Sequence, residues 1–77
     1  MMSNEESQAA RHVLWTVSNP NGYEPGGFTR SLLEAWGHAD YINDAKLSAA
    51  FPELGAAIAV LKRFGPDPLV AQLKDQS

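Results

Sequence analysis

The sequence predicts an all-α protein: a single small domain of four to five short helices. Three observations lead to this prediction. Apolar residues recur at helical spacing, a capping residue or proline stands where four of the five helices would begin, and stretches rich in glycine and proline separate the segments. A chain of 77 residues buries only about 60% of its unfolded surface, so there is room for one small core. The domain is expected to span residues 1–77, with frayed ends and a loop over 18–27.

The first helix is predicted to begin at Ser3-Asn4-Glu5-Glu6, which has the form of a capping box. Trp15 falls off the apolar stripe of this helix. A strand is the alternative, because Val13, Trp15 and Val17 alternate with polar residues, but Leu14 interrupts the alternation and favours a helix. The stripe expected to face the core consists of Ala10, Val13, Leu14 and Val17.

Residues 18–27, SNPNGYEPGG, are predicted to form a loop, because glycine, proline and asparagine dominate them. A loop of about ten residues is longer than most connections in compact domains. Such a loop is either packed by its own Tyr23 or used for contacts, and the sequence leaves both alternatives open.

A second helix is predicted from Phe28 to between Gly37 and Ala39, and a third begins at Asp40, whose carboxylate suits an N-cap. Asn43 is an alternative cap for the third helix. Apolar residues of both helices are expected to face the core: Phe28, Leu32, Leu33, Ala35, Trp36 and Ala39 from the second, and Ile42, Leu47, Ala50 and Phe51 from the third.

A fourth helix is predicted to begin at Pro52, because proline suits the first helical position, and to stop at Gly65-Pro66. Asp67-Pro68 repeats the pattern of a cap followed by proline and predicts a short final helix. Residues 74–77 are expected to fray. The residues expected to pack inward are Leu54, Ala57, Ile58 and Leu61 from the fourth helix and Leu69, Val70 and Leu73 from the last.

The middle third of the chain resembles a family of small uncharacterised proteins of bacteriophages and prophages, notably those of actinobacteria. The shared pattern is G-x-F, then A-D-x-x-N, then L-x-x-x-F-P-E, present here as Gly26–Phe28, Ala39–Asn43 and Leu47–Glu53. The resemblance implies a compact helical phage product that acts inside the host cell. It transfers no catalytic residue.

Charge and composition exclude several classes of function. The net charge is −3, and the six basic residues are scattered rather than gathered into the basic face that nucleic-acid binding requires. The chain has no cysteine, no basic and apolar leader at its N-terminus, and no apolar run that approaches a membrane span. Location in the host cytoplasm, without a membrane, is therefore expected.

A metal site and a catalytic site are both disfavoured. Glu34 and His38 stand four residues apart, with Asp40 and Asp44 nearby, yet a solvated helix face with a capping aspartate explains them better than a metal does. Gly26-Gly27 is read as a flexible helix entry rather than a phosphate site. No local signature relates the serines and histidines, so neither catalysis nor a cofactor is expected.

The aromatic residues favour binding to another protein, of host or phage, or a homodimer. Trp15 and Tyr23 fall off the apolar stripes and are the candidate protein-binding residues, although core packing would explain them equally well. The alternative function is a small helix-turn-helix-like DNA-binding regulator. Its reading helix would be the third, which offers few groups for bases and phosphates, namely Asn43, Lys46 and Ser48.

Overall fold

The computed structural model describes residues 2–75 and confirms the all-α class. Five helices occur within this range. Their bounds are α1 Asn4–Trp15, α2 Gly27–Gly37, α3 Tyr41–Ala50, α4 Pro52–Phe64 and α5 Asp67–Lys74.

The predicted helix starts are confirmed at three positions. The Ser3 hydroxyl accepts from the Glu6 N–H at 3.1 Å, and the Glu6 carboxylate accepts from the Ser3 N–H at 2.9 Å, which completes the capping box. Asp40 rather than Asn43 caps α3, because the Asp40 carboxylate accepts from the Asn43 N–H at 2.8 Å. Pro52 opens α4 as expected.

The start of α5 differs from the prediction that Asp67 caps the last helix. Gly65 ends α4 with a φ of 83°, a conformation that glycine adopts without strain. Pro66 occupies the cap position of α5, and Asp67 is already helical and accepts no capping hydrogen bond. Lys74 is the last helical residue of α5, and the predicted fraying of Gln76 and Ser77 lies outside the described residues.

The loop between α1 and α2 is held against the end of α1. The Tyr23 N–H donates to the Arg11 carbonyl at 3.1 Å, and the Arg11 guanidinium donates to the Asn21 carbonyl at 3.0 Å. A Cβ at Gly22 would overlap the backbone of Trp15, so only glycine allows this approach. Val17, expected in the apolar stripe, lies beyond the end of α1 in a turn and is exposed, because the chain leaves the helix at Thr16.

The core lies between α1 and α4, with contributions from α2 and α5. Trp36 is its largest fully buried side chain, with 1% of its surface exposed. The radius of gyration of 11.6 Å is close to the value of about 11.5 Å expected for a folded domain of this length. The buried apolar residues are Ala9, Ala10, Val13, Leu14, Leu33, Trp36, Leu54, Ala57, Leu69 and Leu73.

Several residues of α2 and α3 that the apolar pattern assigned to the core lie outside it. Phe28, Ala35, Ile42 and Ala50 are exposed, and no residue of α3, all of which the structure describes, is buried. The reason is position: α3 packs along α4 and also contacts α2, and these contacts leave Ile42 and Ala50 exposed. A periodic apolar stripe therefore overestimates how much of a peripheral helix is enclosed.

Candidate functional site

The two residues proposed from sequence as protein-binding have different surroundings. Trp15 is half-buried at the end of α1, with Gly22 packed against its backbone. Tyr23 is 58% exposed, and the Arg11 guanidinium covers one face of its ring at 4.5 Å from the centroid. Tyr23 thus remains available for contacts, whereas Trp15 offers only part of its indole.

Other large apolar side chains are exposed elsewhere on the surface. Phe28 is 71% exposed and Tyr41 84%, and Ile42 and Phe64 are also largely exposed. Sequence reasoning placed Phe28 in the core because it begins an apolar stripe. Its place in the first turn of α2 is the signal that was missed, since the first turn of a helix often extends past the element on which the helix packs.

A groove runs between α1 and the junction of α3 with α4. Its α1 wall is formed by residues at positions i, i+3, i+4 and i+7, which share one helix face. The opposite wall is the α3–α4 junction, and α2 closes one end. We call this site the Phe51 groove. It has a volume of about 300 Å3 and is lined by Glu5, Gln8, Ala9, His12, Thr29, Ala50, Phe51, Pro52, Glu53 and Leu54.

Phe28 extends the apolar surface of the Phe51 groove. Its ring centroid lies 6.1 Å from that of Phe51, with an interplanar angle of 53°, a tilted arrangement that aromatic pairs favour. Phe51 itself is half-buried, whereas the sequence placed it in the core. The groove thus ends in a pair of aromatic rings of which one is mostly in solvent.

The rim of the Phe51 groove is acidic. Glu5 and Glu53 line it, and an adjoining cavity of about 340 Å3 shares Pro52 and Glu53 and adds Glu6. The hydrogen bond from the Ser3 backbone N–H lowers the pKa of Glu6, which keeps this carboxyl charged. Of the described residues, no lysine or arginine lines either cavity.

His12 is the histidine in the wall of the Phe51 groove. It is half-buried, and burial lowers its pKa from 6.5 because desolvation disfavours the imidazolium. At neutral pH His12 is therefore uncharged and leaves the negative charge of the rim uncompensated.

Asp44 joins three helices in a polar cluster. Its Oδ1 accepts from the Trp36 Nε1–H at 2.8 Å and from the Ser48 hydroxyl at 3.3 Å, and its Oδ2 lies 3.7 Å from the Lys62 Nζ. The hydrogen bond from Trp36 is the main reason that the pKa of Asp44 is lowered. The sequence suggested Asp44 only as a neighbour of a weak metal pattern, and the structure gives it a role in helix packing.

The other candidate residues are not brought together. Glu34 and His38 are exposed, Asp40 is engaged as a cap, and the Ser48 hydroxyl donates to Asp44. Within residues 2–75 there is no group of three or more His, Asp or Glu side chains placed to hold a metal ion. His12 lines the Phe51 groove, while His38 lies at the end of α2.

None of the described helices has the length and apolar character needed to cross a membrane. Comparison of the chain with protein-family models, with curated proteins and with solved structures finds no match.

Proposed function

We propose that the chain is a non-catalytic, phage-encoded accessory protein that acts in the host cytoplasm by binding another protein. The binding surface in this proposal is the Phe51 groove together with Phe28. The observation that carries it is the exposure of 71% of the Phe28 side chain at the end of an open groove. Aromatic side chains of this kind are enriched among the anchors of protein interfaces.

The shape and chemistry of the groove favour a protein over a small molecule. Its volume of about 300 Å3 is at the lower limit for small-molecule pockets, and Phe28 lies in solvent beside it. Small-molecule sites also place a few polar groups inside an enclosed cavity to orient the ligand. Among the described residues, no polar or charged side chain is fully buried. A polypeptide lying along the groove would cover both the apolar floor and the exposed ring.

Tyr23 and Trp15 form a second, smaller candidate surface in the same proposal. Arg11 stacks on Tyr23 at 4.5 Å from the ring centroid and leaves more than half of the side chain open to a partner. A homodimer, in which a second copy of the chain is the partner, would use this surface.

The DNA-binding alternative has weaker support. The outer side of α3 exposes Asn43 and Lys46, but the Asp44 carboxylate on the same helix and the acidic rim of the Phe51 groove oppose a polyanion. Retention of the protein on duplex DNA that decreases with salt would favour this alternative.

Site-specific photo-crosslinking tests the proposal. A photoreactive phenylalanine analogue is placed at position 28 and, as a matched control, at position 64, where the native Phe is exposed to a similar extent but lies outside the groove. Crosslinking is carried out in bacterial cells that produce the protein. We expect a discrete protein adduct from position 28 and none from position 64. Equal labelling at both positions, or none at 28, would contradict binding at the groove.

A further inference from the structure

We infer that the partner segment that occupies the Phe51 groove is cationic and amphipathic, with apolar side chains on one face and Lys or Arg beside them. This inference rests on the proposed function and adds the chemistry of the partner. It starts from the distribution of charge and apolar surface around the groove.

The floor and the rim of the groove differ in chemistry. The floor includes Ala9, Leu54 and Phe51, and Phe28 continues it outward. The rim carries the carboxylates of Glu5 and Glu53, and within residues 2–75 neither has an ion-pair partner. An apolar side chain that enters the groove therefore brings its flanking residues beside negative charge.

Three of the chain's six basic side chains are engaged away from this rim. Arg11 is stacked on Tyr23 and bonded to the Asn21 carbonyl, Arg30 pairs with Glu24 at 2.9 Å, and Lys62 lies against Asp44. A partner that carries Lys or Arg would supply charge complementary to the rim. Complementary charge of this kind selects the partner and speeds its association.

Charge also argues against the other occupants. A second copy of this chain carries the same net charge of −3 and the same acidic rim, which opposes self-association at this face. Nucleic acids and anionic lipid surfaces are repelled for the same reason. A basic polypeptide segment is the occupant that matches both the floor and the rim.

Fluorescence anisotropy with the full chain and two synthetic peptides tests the inference. One peptide consists of Leu and Lys at helical spacing, and the other replaces every Lys with Glu. We expect the Lys peptide to bind at low salt and the Glu peptide not to bind. The double variant Glu5→Gln/Glu53→Gln should weaken binding by about tenfold, since each exposed charge pair contributes little by itself.

Two control variants locate the binding. Glu34→Gln removes an exposed carboxylate from α2 outside the groove and should leave the affinity unchanged. Phe28→Ala should weaken binding. Phe64→Ala, which removes a ring exposed to a similar extent but outside the groove, should not. Circular dichroism of each variant checks that the fold is retained.

The outcomes distinguish this inference from the proposed function. If both peptides bind and Phe28→Ala weakens both, the groove is a binding surface but the cationic partner is excluded. If neither peptide binds, or Glu34→Gln weakens binding as much as the double variant, the inference is overturned. A crosslinked adduct from position 28 with twice the mass of the chain would identify a second copy as the occupant instead.

Discussion

Helices α3 and α4 are consecutive in the chain and pack against each other, but different interactions hold them in place. α4 buries Leu54, Gly55 and Ala57, and it contacts α1, α3 and α5. α3 buries no residue, although all ten of its residues are described, and it is held by its Asp40 cap and by the Asp44 cluster. Fully buried apolar residues therefore hold α4, whereas α3 is held by the half-buried Leu47 against the core and by these hydrogen bonds.

A helix at the edge of a small bundle can therefore carry apolar residues, such as Ile42 and Ala50 of α3, that remain exposed to solvent. With room for only one core, the chain builds it from α1, α2, α4 and α5 and leaves α3 without a buried residue. The junction of α3 with α4 then supplies one wall of the Phe51 groove. The exposed surface proposed to bind a partner is thus a consequence of which helices form the core.

The largest expected effect compares one apolar side chain from each helix. Leu54→Ala should destabilise the protein by about 2–5 kcal/mol, because Leu54 is buried in the core. Ile42→Ala should change stability by no more than about 0.5 kcal/mol, because Ile42 is exposed. Urea denaturation followed by circular dichroism measures both. Similar losses from the two substitutions would show that α3 is packed as firmly as α4.

The close contact between the two helices gives the next effect. A Cβ at Gly55 would lie 2.8 Å from the Ser48 Oγ and 3.0 Å from the Ser48 Cα, so a larger residue forces the helices apart. Gly55→Val should cost about 1–3 kcal/mol, in the range of overpacked cores. Ala59→Val places the same side chain on the exposed face of α4 and serves as the control. If the Gly55→Val protein is as stable as the control, the approach of Gly55 to Ser48 does not limit the packing of α3 on α4.

The cap of α3 gives a smaller effect. Asp40→Ala should destabilise the protein by about 1 kcal/mol, because the Asn43 N–H loses its acceptor. Asn43→Ala keeps that backbone donor and the Asp40 carboxylate, so it should have a much smaller effect. Thermal melting of the two variants compares them directly. A loss from Asn43→Ala that equals the loss from Asp40→Ala would contradict the assignment of the cap.

The smallest expected effect is the dependence of stability on pH through Asp44. Its pKa in the folded state lies below the ordinary value of 3.8, chiefly because the Trp36 N–H bonds to the carboxylate. The carboxylate therefore stabilises the fold above pH 3.8, and this contribution is lost as pH falls through the lower folded-state pKa.

Asp44→Asn removes that contribution. The variant should be less stable than the native protein at neutral pH, and the difference should shrink well below pH 3.8. Denaturation midpoints at the two pH values measure it, with Glu34→Gln as the control for loss of an exposed carboxylate. A difference between native and Asp44→Asn protein that is constant with pH would show that the charge of Asp44 does not hold α3.

The candidate site was predictable from the sequence only in part. The off-stripe positions of Trp15 and Tyr23 left protein binding and core packing equally open, and the structure has Tyr23 exposed and Trp15 half-buried. The Phe51 groove was not predictable, because it joins residues 5–12 of α1 to residues 50–54, which are distant in sequence. Nothing local in the sequence of α1 indicates what lies opposite Glu5, Gln8 and His12.

The all-α class and most helix boundaries were predictable from local sequence patterns. Ser3, Asp40, Pro52 and Gly65 act through backbone geometry or hydrogen bonds that reach only a few residues along the chain, so their effect can be read locally. Three features depend on the tertiary structure: the exposure of Phe28, the hydrogen bond between Trp36 and Asp44, and the groove beside Phe51. Burial depends on which distant element covers a helix face, and a local pattern carries no information on that neighbour.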